Sequence, residues 1–547
     1  MQTSLLPAAV DRYWQYLESQ GTSLNPQSLP RLVTDLEAIA WEEPQSALDL
    51  NNFAVLTLIE AEQCEEAEMR GIHLELALEA LQTGIEQHPN HPLCLAHLAI
   101  VQNMLGNAQA AMEIAFPALL NLAQVTYTNA APMPLGLVYL PSTASRAELL
   151  HRMLQAENGW MQTVQLFAEA MCQAQLVFYN QSGIRFLRLA HQLNPHSADL
   201  HLKLGITNLM QDHWEGLLHL QQARKLAPHH AQTVQALYLA YRNLGDQGTA
   251  QFWLNTAQQL AQSSEYPQSW QWATLAIDSP FTYLPFDDLP LNNLPLNDSP
   301  LNSSLLNSPL QLAVEPSLKS IVTLVLLAEG DWFEAEMEFW RKQIQPGMTV
   351  IDVGANVGVY TFSAARKVGS TGQVVAVEPF SGCVGCLQET RRVNQMEWVT
   401  ICAGAASDRP GTARLSLHAA SELNEIVMDD APSNHECEEV ACFTLDSLID
   451  QENLTQVDWL KIDAEGHEVQ VLEGSVNLIN RFAPGILYEN IAAGSGSNLS
   501  VAQWLQARGY QLFRYQPYLQ NLIPIDDFKD VQGNLNIIAL PTNHSHF

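Results

Sequence analysis

Residues 350–380 read VIDVGANVGVYTFSAARKVGSTGQVVAVEPF, and the fold is decided there. Thr349 to Val353 is an apolar run of strand length with an acid, Asp352, at its end. A tight Gly354-Ala355-Asn356-Val357-Gly358 turn follows, then a helical segment from about Tyr360 to Lys367. A second apolar run, Val374 to Val377, ends in Glu378. The pattern predicts a strand-turn-helix-strand unit with an acid at the tip of its second strand. Such units hold nucleoside-containing ligands at the carboxyl ends of parallel strands.

Working outward, the flanking sequence continues the alternation. Downstream, a helix at about Cys386 to Asn394 leads to a strand at Trp398 to Cys402. Ala413 to His418 and Glu438 to Phe443 can pair as an inserted hairpin. Asp458 to Asp463 reads as a core strand, Glu465 to Asn480 as a helix, Gly485 to Glu489 as a strand and Val501 to Arg508 as a helix. Gln511 to Tyr515 and Leu535 to Leu540 close the sheet as an antiparallel pair. Upstream, Ile321 to Leu327 and Phe333 to Gln343 read as helices ending before Pro346-Gly347. Strands alternating with helices predict a Rossmann-like, three-layer α/β/α sandwich over residues 313–547.

Two further regions precede it. Residues 279–312 carry short Leu-Pro-Leu-Asn units and read as a low-complexity linker, because proline removes helix donors and restrains the residue before it. Residues 1–278 are expected to be all-α, with apolar positions at three- and four-residue spacing. Within them, Leu200 to Pro228 and Val234 to Gln262 resemble each other; Ala223 and Ala257 lie 34 apart, as do Gly216 and Ala250. Ala99, Gly106, Ala111 and Ala118 fit an earlier unit of the same template, and Pro89, Pro195 and Pro228 fall at the hand-over between units. A 34-residue period resembles that of tetratricopeptide (TPR) repeats, which stack into a solenoid; an irregular insertion is expected near Thr126 to Ser145. A generic helical bundle is the plainer alternative.

The bulk properties narrow the partners. At 547 residues the chain is too long for one core. Its 25 basic and 58 acidic residues give a net charge of -33, which disfavours nucleic acid and anionic membrane surfaces as partners. Eight cysteines do not make a disulfide framework in a chain of this length, and no apolar run approaches a bilayer-spanning segment. A reduced, cytoplasmic protein is expected. Cys383 and Cys386 look like half of a zinc site, but buried free thiols are the better reading.

The residues able to do chemistry gather at strand ends. Asp352 can accept a hydrogen bond from a ligand amine, and Glu378 is placed for two ribose hydroxyls. The spacing is Gly-x-x-x-Gly, not the G-x-G-x-x-G of dinucleotide sites, and no G-x-x-x-x-G-K-[ST] phosphate loop occurs. A ligand with a positive charge, a ribose and no phosphate fits best, as S-adenosylmethionine does. In the later stretch LKIDAEGHEVQVLEG, residues 460–474, Asp463 ends a strand at the same edge of the sheet, with Glu465, His467 and Glu468 just beyond. Glu465 or Glu468 can instead serve only to cap the helix. Glu489 ends the next strand, where it can contact substrate or be a surface acid. No metal ligand is assigned; Asp463, Glu465 and Glu489 become a divalent-cation set only if folding brings them together.

These stretches together resemble the FkbM family of methyltransferases, a class I, S-adenosylmethionine-dependent fold, over residues 313–541. The matching pieces are VIDVGANVGVYT (350–361), VVAVEP (374–379), AGAASDRPG (403–411), TLDSLI (444–449), LKIDAEGHEVQVLEGS (460–475) and ILYEN (486–490), the fifth being the most specific. The resemblance implies O-methylation of a hydroxyl on a sugar, glycan or secondary metabolite. It implies that Asp352, Gly354, Ala355, Asn356, Gly358, Tyr360 and Glu378 line the cofactor site, with Ala405, Ser407 and Asp408 near the adenine. Asp463 and Glu465 would lie near methyl transfer, and Glu489 near the substrate. Methyl transfer needs alignment and one proton acceptor, for which Asp463 and His467 are the candidates. The TPR-like array would recruit a protein partner or a carrier-bound substrate. The rival class is a catalytically inactive interaction scaffold; an NAD-dependent oxidoreductase fits the glycine pattern less well.

Overall fold

The computed structural model describes residues 5–19, 46–64, 66–126, 135–141, 150, 153–154, 159–174, 183–193, 195–260, 270–275, 310–427, 436–490, 498–517 and 519–542. Most of the expected linker and the flanks of the expected insertion near Thr126 to Ser145 lie outside the described residues. The chain divides into two compact units. Unit 1 comprises Met1–Leu204, Ser279–Leu296 and Gln516–Asn521; unit 2 comprises Gly205–Asp278, Asn297–Tyr515 and Leu522–Phe547.

Unit 1 is helical: α1 (Leu5–Ser19), α2 (Ala47–Gln63), α3 (Ala67–Gln87), α4 (Pro92–Met104), α5 (Ala108–Thr126), α6 (Gly159–Ala174), α7 (Gly183–Leu193) and the start of α8 (Ala198–Met210). Two of the helices begin where the sequence supplies a cap or a proline. Ser46 and Asp49 form a reciprocal capping box for α2, and Pro92 opens α4, where a missing N–H costs nothing. Small residues do what the spacing predicts at Ala99 and Ala111, which are fully buried. Gly106 differs: it turns the chain at φ +81 with nothing near its Cβ position, so it serves the turn and not helix approach.

The core of unit 1 contains an extended stretch, residues 135–141. Leu137, Val138, Tyr139 and Leu140 are buried there, and no strand among the described residues pairs with them. Buried main-chain groups must be paired, and side chains from four helices pair them. Gln162 brackets Gly136 (N–H to Oε1 3.1 Å, Nε2 to O 2.7 Å). Asn52 Oδ1 accepts from Leu137 N at 2.8 Å and Asn51 Nδ2 donates to Leu137 O at 3.2 Å. The Tyr13 hydroxyl takes both groups of Val138, His97 Nε2 accepts from Tyr139 N at 3.0 Å, and the Tyr16 hydroxyl takes both groups of Leu140.

Unit 2 opens with the rest of α8, α9 (Gly216–Leu226), α10 (Ala231–Asn243) and α11 (Gln247–Leu260). Ala223 and Ala257, 34 residues apart, are both buried, and a Cβ on Gly216 would lie 2.4 Å from the Gly205 carbonyl, so α8 and α9 touch backbone to backbone. The expectation of helix up to about 275 is corrected at its end: Gln271–Leu275 is a strand, β1, paired antiparallel with β2 (Leu310–Val314). β1 sits on α10 through Gln235 Nε2 to Thr274 Oγ1 (3.1 Å), and β2 sits on a later helix, α15 below, through Ala313 N to Thr390 Oγ1 (2.9 Å). A strand-length apolar run is ambiguous in isolation, and here its partner lies beyond the linker.

The remaining elements of unit 2 are α12 (Ile321–Glu329), α13 (Glu336–Gln343), β3 (Thr349–Val353), α14 (Val359–Val368), β4 (Gln373–Glu378), α15 (Ser381–Val393), β5 (Val399–Ala403), β6 (Ala405–Ala406), β7 (Gly411–Ser416), β8 (Glu425–Val427), β9 (Cys437–Phe443), α16 (Leu445–Gln451), β10 (Trp459–Ile462), α17 (Glu468–Glu473), α18 (Val476–Phe482), β11 (Gly485–Glu489), α19 (Leu499–Gln506), β12 (Tyr510–Gln516), β13 (Asn521–Pro524) and β14 (Asn536–Pro541). Eight strands form the main sheet in the order β13-β12-β14-β11-β10-β3-β4-β5. β11, β10, β3, β4 and β5 run parallel, and β14 is antiparallel to both β11 and β12. This is the expected Rossmann-like sandwich with an antiparallel edge. The chain leaves β3 toward β4 and β5, then returns to the other side of β3 with β10. The order therefore reverses between β3 and β10, the position where such sheets open a crevice at their carboxyl edge.

Two local expectations change. The inserted hairpin is a separate four-stranded sheet of order β6-β9-β7-β8. The single helix expected over Glu465 to Asn480 is two, α17 and α18, starting at Glu468. Glu465 and Gly466 have φ of 46 and 89 and cannot belong to a right-handed helix. The break falls at Gly474, whose Cβ position would lie 2.0 Å from the Ser407 carbonyl. No helix among the described residues is long and apolar enough to cross a membrane.

Candidate active site

Asp352 is fully buried on β3. Its Oδ2 accepts from Thr361 Oγ1 at 2.6 Å, while its Oδ1 has no partner among the described residues. Burial raises this carboxyl above its ordinary range, and the Lys461 ammonium pulls it back. The turn after it is fastened to β4: Gly354 N and Ala355 N both donate to Val377 O, at 3.0 and 3.1 Å. Gly354 has φ +73, and a Cβ there would lie 1.7 Å from the Asp463 carbonyl. Gly358 has φ +95, and its Cβ would lie 2.5 Å from the Phe362 ring. Beyond turning the chain, the two glycines allow close passage of β3 past β10 and of the turn past α14.

Asn356 stands in the left-handed region at φ 48. Its N–H donates to Glu378 Oε2 at 2.7 Å, and Phe380 N donates to Oε1 at 2.8 Å. Burial pushes Glu378 up to about 7 against those two donors. Each oxygen keeps a lone pair for a further donor.

Tyr360 meets the cluster through Lys461 and Glu334. Its hydroxyl donates to Glu334 Oε2 at 2.6 Å and its ring lies 4.7 Å from Lys461 Nζ. Lys461 is opposite Asp352 in the β10–β3 register and is buried, and Nζ donates to Asp463 Oδ2 at 2.8 Å. Burial alone would lower the ammonium; Asp463, Asp352 and Glu334 outweigh it and hold it above the ordinary lysine range. Lys461 and Glu334 received no role from sequence. The available signal was a lysine inside the apolar run Trp459–Ile462; Glu334 offered none.

Folding does bring Asp463, Glu465 and Glu489 together: one carboxylate oxygen from each lies within 4.8 Å of the others. Burial first, then Asp463 and Glu465, push Glu489 up to about 11. Glu465 rises to about 8, by burial first. Three carboxyl oxygens so close suit a shared proton or an oxygen-ligated divalent cation. His467 is not in this group. Its Nε2 meets Ser407 Oγ at 3.0 Å, Ser407 Oγ in turn meets Asp408 Oδ1 at 3.1 Å, and burial lowers the imidazole. Ala405 pairs with Cys442 in the inserted sheet. Glu468, fully buried, caps the preceding turn: Oε1 accepts from Ala464 N and Gly466 N at 3.1 and 3.0 Å, and Oε2 from Asn498 Nδ2 at 2.8 Å. Cys383 and Cys386 are buried free thiols.

The matching of this region to known proteins is local. Residues 352–512 match the family model described as the methyltransferase FkbM domain. Solved structures similar to parts of the chain include methyltransferase FkbM from Methylobacillus flagellatus KT, at 16% identity over 41% of this chain and 54% of that one, TM-score 0.24. An O-methyltransferase from Bacillus cereus in complex with SAH shares 16% identity over 39% of this chain and 83% of that one, TM-score 0.24. MamA 41-end from Desulfovibrio magneticus RS-1 shares 16% identity over 39% of this chain and 97% of that one, TM-score 0.25. Nothing further rests on these three likenesses. No curated protein matches the chain. Within the matched residues fall all the acids at the carboxyl edge: Asp352, Glu378, Asp463, Glu465 and Glu489.

Proposed function

We propose that unit 2 is an S-adenosylmethionine-dependent O-methyltransferase acting on a hydroxyl of a sugar, glycan or secondary metabolite. One observation carries the reading: the adjacent parallel strands β10, β3 and β4 end in Asp463, Asp352 and Glu378 around the point where the strand order reverses. The residues fit the cofactor. The orphaned, buried Oδ1 of Asp352 suits a donor such as the ligand ammonium, and the free lone pairs of Glu378 suit ribose hydroxyls. When bound, S-adenosylmethionine supplies an electrophilic methyl group. The chain holds donor and acceptor in line and takes one proton from the attacking hydroxyl. Asp463 is assigned that proton, since its carboxylate stands at the reversal point while His467 is engaged with Ser407. The helical repeats are proposed to recruit a protein partner or a carrier-bound acceptor. Buried free Cys94, Cys383 and Cys386 suit a reducing, cytoplasmic compartment.

Calorimetry with S-adenosylmethionine tests the reading, followed by transfer of a labelled methyl group to a panel of glycans and small alcohols. Asp352→Asn is expected to weaken cofactor binding by about tenfold or more, as loss of a charge-assisted bond does. Asp463→Ala is expected to bind the cofactor and lose turnover. No heat from the wild-type chain at high concentration supports the inactive-scaffold alternative and sinks the enzyme reading.

A further inference from the structure

The inserted sheet reaches into the glycine turn. Between β7 and β8, Ser421–Leu423 forms one 3-10 turn, and Ser421 is almost wholly buried. Its Oγ accepts from Asn356 Nδ2 at 3.2 Å, takes a thiol contact from Cys383 Sγ at 3.6 Å, and donates to the Glu315 carboxylate. The next residue anchors the turn from the other side: Glu422 Oε1 accepts from Ser320 Oγ at 2.8 Å and Val322 N at 2.6 Å, at the start of α12.

Asn356 is thereby held at both ends of its amide. Oδ1 accepts from Val357 N at 2.8 Å, Nδ2 is held by Ser421, and the residue keeps a left-handed backbone that few side chains tolerate. With the amide plane and φ both set, the Asn356 N–H points at Glu378 Oε2. A carboxylate gripped by one N–H on each oxygen has one rotamer, and the direction of its remaining lone pairs is set.

We infer that Ser421, from the inserted sheet, is a positioning residue for the nucleoside: through Asn356 it aims Glu378 at the ribose. This rests on the proposed placement of the ribose at Glu378. It makes the insert part of the cofactor site, in addition to any part it plays toward the acceptor.

The test compares ligands differing only at the ribose. Full-length wild type, Ser421→Ala and Ser421→Thr are titrated calorimetrically with S-adenosylhomocysteine and its 2′-deoxy analogue, with thermal melting as a check on folding. Wild type is expected to prefer the ribose form by about tenfold or more. Ser421→Ala is expected to cut that preference to about threefold or less, and Ser421→Thr, which keeps a hydroxyl, to restore it. A merely structural role lowers both affinities together, so a Ser421→Ala ratio equal to that of wild type overturns the inference. A wild type that binds both forms equally overturns it as well. A wild type that binds neither overturns the methyltransferase reading itself, and the inference with it.

Discussion

At the scale of single residues, the acids at the sheet edge were legible and their surroundings were not. Asp352, Glu378 and Asp463 each end a strand-length apolar run, so their common edge follows from local pattern alone. Lys461 joins them through β10–β3 pairing, its one local signal a lysine inside an apolar run, and Glu334 joins from the loop before α13, where nothing local announces it. Gly354 shows the same limit. Its presence was readable, its reason was not: the Cβ position falls 1.7 Å from the Asp463 carbonyl, on a strand more than a hundred residues later. Gly354→Ala should therefore cost unit 2 on the order of 2–4 kcal/mol, from strain at positive φ plus displacement of the β10 tip. Gly411, with an ordinary φ and nothing near its Cβ position, supplies the contrast and should tolerate Ala with little change. Urea denaturation measures both; equal midpoints for the two variants would show that the close pass is not a constraint.

At the scale of elements, periodicity found the helices and strands but not what interrupts them. The split of α17 from α18 comes from Gly474 lying on the Ser407 carbonyl, and the left-handed Glu465–Gly466 turn is held by Glu468. The extended stretch 135–141 is the clearest case. It resembles a core strand in composition yet pairs with side chains from helices, among them His97. Tyr139 N donates to His97 Nε2, so that nitrogen is an acceptor and the ring is neutral, its Nδ1 proton shared by Asn51 Oδ1 and Leu93 O. Complete burial lowers His97 to about 3. The folded state thus binds fewer protons than the unfolded state, whose histidine titrates near 6.5. The stabilisation is fully present above about pH 6.5 and is lost as pH falls toward 3, at roughly 1.4 kcal/mol per pH unit. Urea midpoints for unit 1 at about pH 7 and about pH 5 should show that loss in wild type and a smaller one in His97→Asn. The same loss in both proteins would remove His97 as its source.

At the scale of the whole molecule, composition and periodicity gave a helical region, a linker and an α/β domain, with the helical region closing at 278. The packing divides the chain at another place, within α8, between Leu204 and Gly205. The cause is again a pairing across sequence distance. Gln271–Leu275 joins Leu310–Val314 over five register pairs, and the pair is bonded to α10 by Gln235 and to α15 by Thr390. Trp272, Leu275, Leu312 and Val314 are buried in that arrangement, so residues on either side of the linker cover one another.

That arrangement predicts where the catalytic unit can be cut. A fragment of residues 195–547 keeps α8 whole, together with α9 to α11 and both short strands, and should melt cooperatively and bind S-adenosylmethionine as the full chain does. A fragment of residues 279–547 lacks β1 and α10, leaving the β2 edge unpaired and its apolar side chains in water. Exposing several large apolar side chains costs about 1.5–3 kcal/mol each, against a total stability of about 5–15 kcal/mol. The shorter fragment should therefore melt well below the longer one or aggregate on expression, an unpaired apolar edge being a template for association. Thermal denaturation of the two fragments side by side decides it. If residues 279–547 melt at the temperature of residues 195–547, β1 and the last helical pair are appendages of the catalytic fold and not part of its core.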